Sequence, residues 1–287
     1  MRSLLFLPGN NPNMLINGDL LGSDGIIIDL EDAVSPSEKD AARTLVRGAI
    51  GFFRYHTPVV VRINSLDTAF WQQDLEELIP MKPDYIMLPK SNGPEDIRTV
   101  SAAISAEEER CGLPRGGIGL IALIETAVGV ENAYEIAAAD PRVRALALGA
   151  EDLTADLRCK RTPQSDEILY SRTRLVIAAR AAQVDCIDTP FTDANDLEGL
   201  EQDARRAKSL GFSGKLLINP RHVQTVNRVF SPSREDIDYA REVVAAIREA
   251  QANGRGAVAL HGKMIDKPVV DRAEQTLQMA ERMGVLA

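Results

Sequence analysis

The chain has 287 residues, 33 basic and 42 acidic, which gives a formal net charge of −9 and a pI near 5.0. It carries no basic block of the kind that neutralises phosphates, which argues against non-specific nucleic-acid binding, and 45% hydrophobic with 26% charged residues is a globular composition, not a disordered one. The length slightly exceeds the roughly 250 residues of a single (β/α)8 barrel.

Eight short apolar runs rich in Val, Ile and Leu predict strands: Ser3 to Leu7, Gly25 to Leu30, Pro58 to Ile63, Tyr85 to Leu88, Gly119 to Ile124, Ala145 to Leu148, Asp185 to Thr189 and Lys215 to Ile218. They are continuous, not alternating, as strands buried on both faces are. Longer stretches of helical period separate them. Ser35-Pro36-Ser37-Glu38 has the pattern of a capping box opening one such helix, and Asp193 to Leu210 stops at Gly211. Strand and helix alternating eight times in about 230 residues predict a (β/α)8 TIM barrel over residues 1–230. A doubly wound sheet is the rival, but no strand is followed by the glycine fingerprint of a dinucleotide site.

Residues 231–287 are expected to form a C-terminal helical extension. A helix-start signal stands at Ser233-Arg234-Glu235-Asp236 and is followed by an amphipathic stretch to about Ala252. A turn at Asn253-Gly254-Arg255-Gly256 and a last helix opening near Pro268 complete it.

Cys111, Cys159 and Cys186 are odd in number and widely separated, which predicts inert thiols and a reducing, cytoplasmic setting. Three scattered histidines offer little for a zinc site, so a bound metal should be a hard ion held by carboxylates. The run Leu4 to Leu7 is too short for a signal-peptide core, and no run of 18 apolar residues is present to span a membrane.

Barrel enzymes place their chemistry at the C-terminal ends of the strands. There this sequence puts Asp29-Leu30-Glu31-Asp32, Arg62, Asn64, Lys90, Glu125, Glu151, Asp152, Asp188 and Asn219-Pro220-Arg221. Glu125 and Asp152 follow neighbouring strands and suit one octahedral Mg2+ with water and substrate completing its shell. Arg62 suits a developing oxyanion or a substrate carboxylate, and reads equally well as an ion-pair partner of Glu31 or Asp32. Asp29, inside its run, reads as structural, hydrogen-bonding backbone or Arg62. Lys90, and the basic loop with Arg158, Lys160 and Arg161, read equally as solvated charges.

These residues occur in ordered motifs: Arg2-Ser3-Leu4-Leu5-Phe6-Leu7-Pro8-Gly9, Asp29-Leu30-Glu31-Asp32-Ala33-Val34, Val61-Arg62-Ile63-Asn64, Leu88-Pro89-Lys90, Ile124-Glu125-Thr126, Gly149-Ala150-Glu151-Asp152-Leu153 and Gly262-Lys263-Met264-Ile265-Asp266-Lys267-Pro268. The set resembles the citrate lyase β-subunit-like family, with its malyl-CoA and citramalyl-CoA lyases, inside the HpcH/HpaI aldolase group. The resemblance implies a barrel that assembles as a homotrimer or hexamer, with Mg2+ on Glu125 and Asp152. It implies an enolate-stabilising Arg62 with Glu31 beside it, and substrate contacts from Arg62, Glu125, Lys90 and Arg2. It also implies that the extension is a lid closing over a neighbouring subunit, with Asp266 as general acid/base. Bottom-up, Asp266 reads equally as a helix cap before Lys267-Pro268. The implied reaction is retro-Claisen cleavage of a β-hydroxyacyl thioester, on CoA or an acyl carrier, into an α-keto acid and an acyl thioester. The alternatives are a retro-aldol on free hydroxy-keto acids and a β subunit active only within a citrate lyase complex. Many members have His-Pro after the eighth strand, with Gln two residues on; this chain has Asn219-Pro220 and His222.

Overall fold

The computed structural model describes residues 1–252, 254 and 256–284. Eight parallel strands, β1 (Ser3–Pro8), β2 (Gly25–Asp29), β3 (Val59–Arg62), β4 (Tyr85–Leu88), β5 (Gly119–Ile124), β6 (Val143–Leu148), β7 (Asp185–Asp188) and β8 (Gly214–Leu217), pair in sequence order. The pairing of β8 with β1 closes the barrel and excludes the open doubly wound sheet. Strand β6 begins two residues before the predicted run, because Val143 pairs with Leu120 below a register shift.

The alternation of side chains along each strand builds two apolar layers. Leu4, Ile27, Val60, Met87, Ile121, Leu123, Ala145, Ala147, Ile187 and Leu216 fill the barrel interior. Their sequence neighbours, such as Leu5, Ile28 and Val61, pack with the surrounding helices in a larger core. Each strand must be apolar on both faces, which is why the runs are continuous.

Two helix-start readings need correction. Ser35 makes no capping hydrogen bond; Pro36–Glu38 is a single 3-10 turn, and the α-helix spans Lys39–Phe53. The helix predicted from Asp193 begins at Leu197, because Asp193 accepts the amides of Asn195 and Asp196 in a turn, and Asp196 is the true cap, accepting from Gly199 at 2.8 Å. Gly211 ends that helix at φ 106°. Cys186 is buried and Cys111 half-buried, but Cys159 is exposed and does not pack in the core.

The chain divides after Phe230 into two compact units. In the second, a helix spans Arg234–Ala252. Its start is a reciprocal capping box, in which Ser233 accepts the Asp236 amide and Asp236 accepts the Ser233 amide, both at 3.0 Å. Of the predicted turn at 253–256, Asn253 and Arg255 lie outside the described residues. An antiparallel hairpin then joins β9 (Val258–Leu260) to β10 (Lys263–Ile265) through His261 and Gly262, both at positive φ. The last helix, Lys267–Arg282, has Asp266 at its N-cap and Pro in its first turn. Ala240, Val243, Ile265 and Ala273 form this unit's own small core. Among the described residues, no helix is long and apolar enough to cross a membrane.

Candidate active site

The inward phase of the barrel strands continues past their apolar layer and selects what faces the mouth. Phe6 follows Leu4, Asp29 follows Ile27, Arg62 follows Val60, Glu125 follows Leu123, Gly149 follows Ala147 and Ile218 follows Leu216, each by two residues. All six line one cavity of about 490 Å3, together with Asp152, Asp32 and Pro190.

Arg62 is buried and held by Asp29, its register partner on β2, through Nε to Oδ1 and Nη2 to Oδ2, both at 2.7 Å. Its remaining Nη1 is 2.9 Å from Glu31 Oε2 and 3.6 Å from Asp32 Oδ2. The Glu31 contact is close but misaligned for a hydrogen bond, so buried Oε2 lacks a hydrogen-bond partner. The Phe6 ring lies 4.9 Å from the guanidinium carbon. Burial works against the guanidinium charge, but the bonds to Asp29 outweigh it and raise its pKa, so Arg62 is a permanent cation. Asp29 also accepts the amides of Glu31 and Ala33, and Lys39 Nζ donates to the carbonyls of Leu30 and Glu31, fixing the loop that presents Glu31.

Glu125 is buried, and its Oε1 accepts the Lys90 amide at 2.7 Å. Burial, reinforced by the charge of Glu31 and of Asp152, pushes its carboxyl up to about 8. Glu31 is likewise raised, chiefly by burial. Gly149 makes room for Glu125: a Cβ there would lie 2.5 Å from Glu125 Oε2 and 2.8 Å from its Cβ. Asp152 sits in the first turn of the helix Ala150–Asp156, whose first amide donates to Thr189 Oγ1 at 3.0 Å. The site has more carboxylates than cations, and its donors are hard oxygens, a set that fits a divalent ion such as Mg2+. Among the described residues, no cluster of three or more His, Cys, Asp or Glu makes a complete metal cage. Glu125 and Asp152 would therefore share an ion with water and substrate.

Of the residues read from sequence, Arg62, Glu31, Lys90, Glu125 and Asp152 come together. Arg2 does not. It precedes β1, at the end of the barrel opposite the mouth, and its guanidinium is 2.6 Å from Asp24. Asp188 also turns away: next to the inward Ile187, it faces the helices and binds Arg172 and Lys215 in a buried network with Asp203. Asn64 is tied to Asp74. Arg161 is spent on nearby carboxylates, 2.6 Å from Glu167 and 3.2 Å from Glu151. Asn219 accepts the Arg221 amide and caps a 3-10 turn, and His222 is fully buried against Phe191. Asp266 makes no side-chain capping bond, so its place at the helix start does not consume its carboxylate. Sequence reading missed Lys39, Thr189 and Phe6, and placed Gly149 after the sixth strand without giving it a role. Phe6 and Gly149 were accessible through the two-residue phase of their strands.

The HpcH/HpaI aldolase/citrate lyase family model matches residues 2–220. The chain is 42% identical to the citrate lyase subunit beta of Leuconostoc mesenteroides subsp. cremoris, over 97% of this chain and 93% of that one. It is 34% identical to the L-malyl-CoA/beta-methylmalyl-CoA lyase of Cereibacter sphaeroides, over 99% and 95%. It superposes with a TM-score of 0.79, at 34% identity and 98% coverage of both chains, on protein CitE of Mycobacterium tuberculosis in complex with magnesium, acetoacetate and coenzyme A. A buried arginine and two metal-type carboxylates at the mouth of a closed barrel thus coincide with a match along nearly the whole sequence, and the chain belongs to the HpcH/HpaI aldolase/citrate lyase family of carbon–carbon lyases.

Proposed function

We propose that this protein cleaves, and in reverse forms, a β-hydroxyacyl thioester of the citramalyl, malyl or citryl type by retro-Claisen chemistry. The observation that carries this reading is the fixed Arg62 guanidinium in the same cavity as Glu125 and Asp152. Glu125 and Asp152 would hold Mg2+, which when bound supplies a Lewis acid and a template for the substrate's hydroxyl and adjacent carboxylate.

Asp266 of a neighbouring copy removes the hydroxyl proton. The oxygen's electrons form the keto group of the α-keto acid, the C–C bond breaks, and its electron pair passes into the thioester as an enolate. Arg62 faces that oxyanion with a charge already desolvated and oriented by Asp29, so little reorganisation is needed as charge develops. The proton on Asp266 then returns to the enolate carbon. Glu31, beside Arg62 and Lys90, sets the electrostatics around that oxygen. The protein works in the cytoplasm as a homotrimer or hexamer.

The 42% identity to a citrate lyase subunit beta favours a second reading, in which the thioester is presented by an acyl carrier protein. The test is the purified chain with citramalyl-CoA, malyl-CoA and citryl-CoA, with and without EDTA. Chelator-sensitive release of an α-keto acid is expected. Cleavage only after addition of a carrier-bound thioester would establish the second reading. Pyruvate release from a hydroxy-keto acid with every thioester inert would overturn both.

A further inference from the structure

Lys90 is one of seven described non-glycine residues at positive φ, a conformation unfavourable for an L side chain; at φ 49° it is the one bonded to Glu125 and Glu31 of the candidate site. Such strain persists where the surroundings impose it, and here both ends of the residue are engaged. Its amide is fixed on Glu125 Oε1 at 2.7 Å. Its ammonium lies 3.0 Å from Glu31 Oε1 and 3.9 Å from Asp152 Oδ2. The left-handed turn lets one residue reach both carboxylates that would hold the metal.

The charges of the site leave this ammonium a distinct position. Asp29, Glu31, Asp32, Glu125 and Asp152 are grouped around Arg62 and Lys90. Arg62 is committed to Asp29, and nearby Lys39 spends its ammonium on two backbone carbonyls. Lys90 is then the cation shared by Glu31 and Asp152. It is half-buried, on a flexible stem, and can move where Arg62 cannot.

We propose that Lys90 is a positioning residue acting as an exchangeable counter-ion. In the metal-free protein its ammonium holds Glu31 and Asp152 against their mutual repulsion. A divalent cation arriving between Glu125 and Asp152 displaces it outward, while its amide keeps Glu125 in place. The inference rests on the preceding reading of Glu125 and Asp152 as the metal-holding pair.

Two measurements test it. Calorimetric titration of Mg2+ into the chelator-stripped full chain should show Lys90→Met binding about tenfold more tightly than wild type, because a competing unit charge is removed a few ångströms from the ion. Lys90→Arg, which keeps the charge, should stay near wild type. Equal or weaker Mg2+ binding by folded Lys90→Met, or equal tightening in Lys90→Arg, overturns the inference. On the wild-type chain, brief acetylation read by mass spectrometry should label Lys90 several-fold faster with Mg2+ than without. An unchanged or slower rate also overturns it, even should Lys90→Met fail to fold. A wild-type chain that binds no Mg2+ sinks the metal-dependent function itself, which sets that failure apart.

Discussion

Asp29 and Arg62 are register partners on β2 and β3, and the carboxylate grips the guanidinium through two parallel bonds of 2.7 Å. Both are buried and both face into the barrel mouth. The pair leaves one guanidinium nitrogen directed at Glu31 and Asp32, so Asp29 fixes the orientation of the charge.

Asp29→Asn should therefore damage stability and turnover together. The amide retains one acceptor but cannot match the fork, and it leaves a buried cation under-compensated. Breaking a buried pair of this kind costs about 3–5 kcal/mol. Urea unfolding should show that loss, and turnover should fall at least about tenfold. A variant with wild-type stability and rate would refute the orienting role.

Gly149→Ala places a methyl group where Glu125 already is. Glu125 must shift, and with it the carboxylate proposed to hold the metal. Mg2+ affinity should drop about ten- to a hundredfold, as when a ligand's support is disturbed. Circular dichroism should show the barrel intact. Calorimetry giving an unchanged affinity would show that Glu125 has room to move.

The metal-free protein should have a characteristic pH profile. Glu125 has a folded-state pKa raised to about 8, above its ordinary 4.5. Between those values the folded chain holds a proton that the unfolded chain has released. Stability from this group is thus full at low pH and is lost as pH rises towards 8. Mg2+ must displace the same proton, so its affinity should climb up to about tenfold per pH unit and level off above about pH 8. Melting curves from pH 5 to 9, with and without Mg2+, check both trends. Glu125→Gln should abolish the first.

Asp266→Ala should cost about 10²–10⁴ in turnover if its carboxylate moves the substrate proton. The structure leaves that carboxylate uncommitted as a cap, so the melting temperature should change by only a few degrees. Near-normal single-turnover rates would remove Asp266 from the mechanism.

The sequence by itself carried the barrel, because a parallel strand covered on both faces must be a continuous apolar run, and eight such runs have few other ways to close. It also carried the helix start at Ser233 to Asp236, a purely local pattern. It did not carry the caps near Ser35 and Asp193, where several polar residues compete for the same amides and packing chooses among them. The residues of the mouth were legible as a set, since they follow the strands. Their orientation was not. Asp29 and Asp188 both end barrel strands, yet one faces the cavity and the other a buried network, because strand register fixes which side each meets. Arg2 shares a motif with the first strand but lies at the barrel's other end, since a motif in sequence spans the full length of a strand. Gly149's closeness to Glu125 and the left-handed Lys90 arise between neighbouring strand ends, and only the closed barrel brings those ends together.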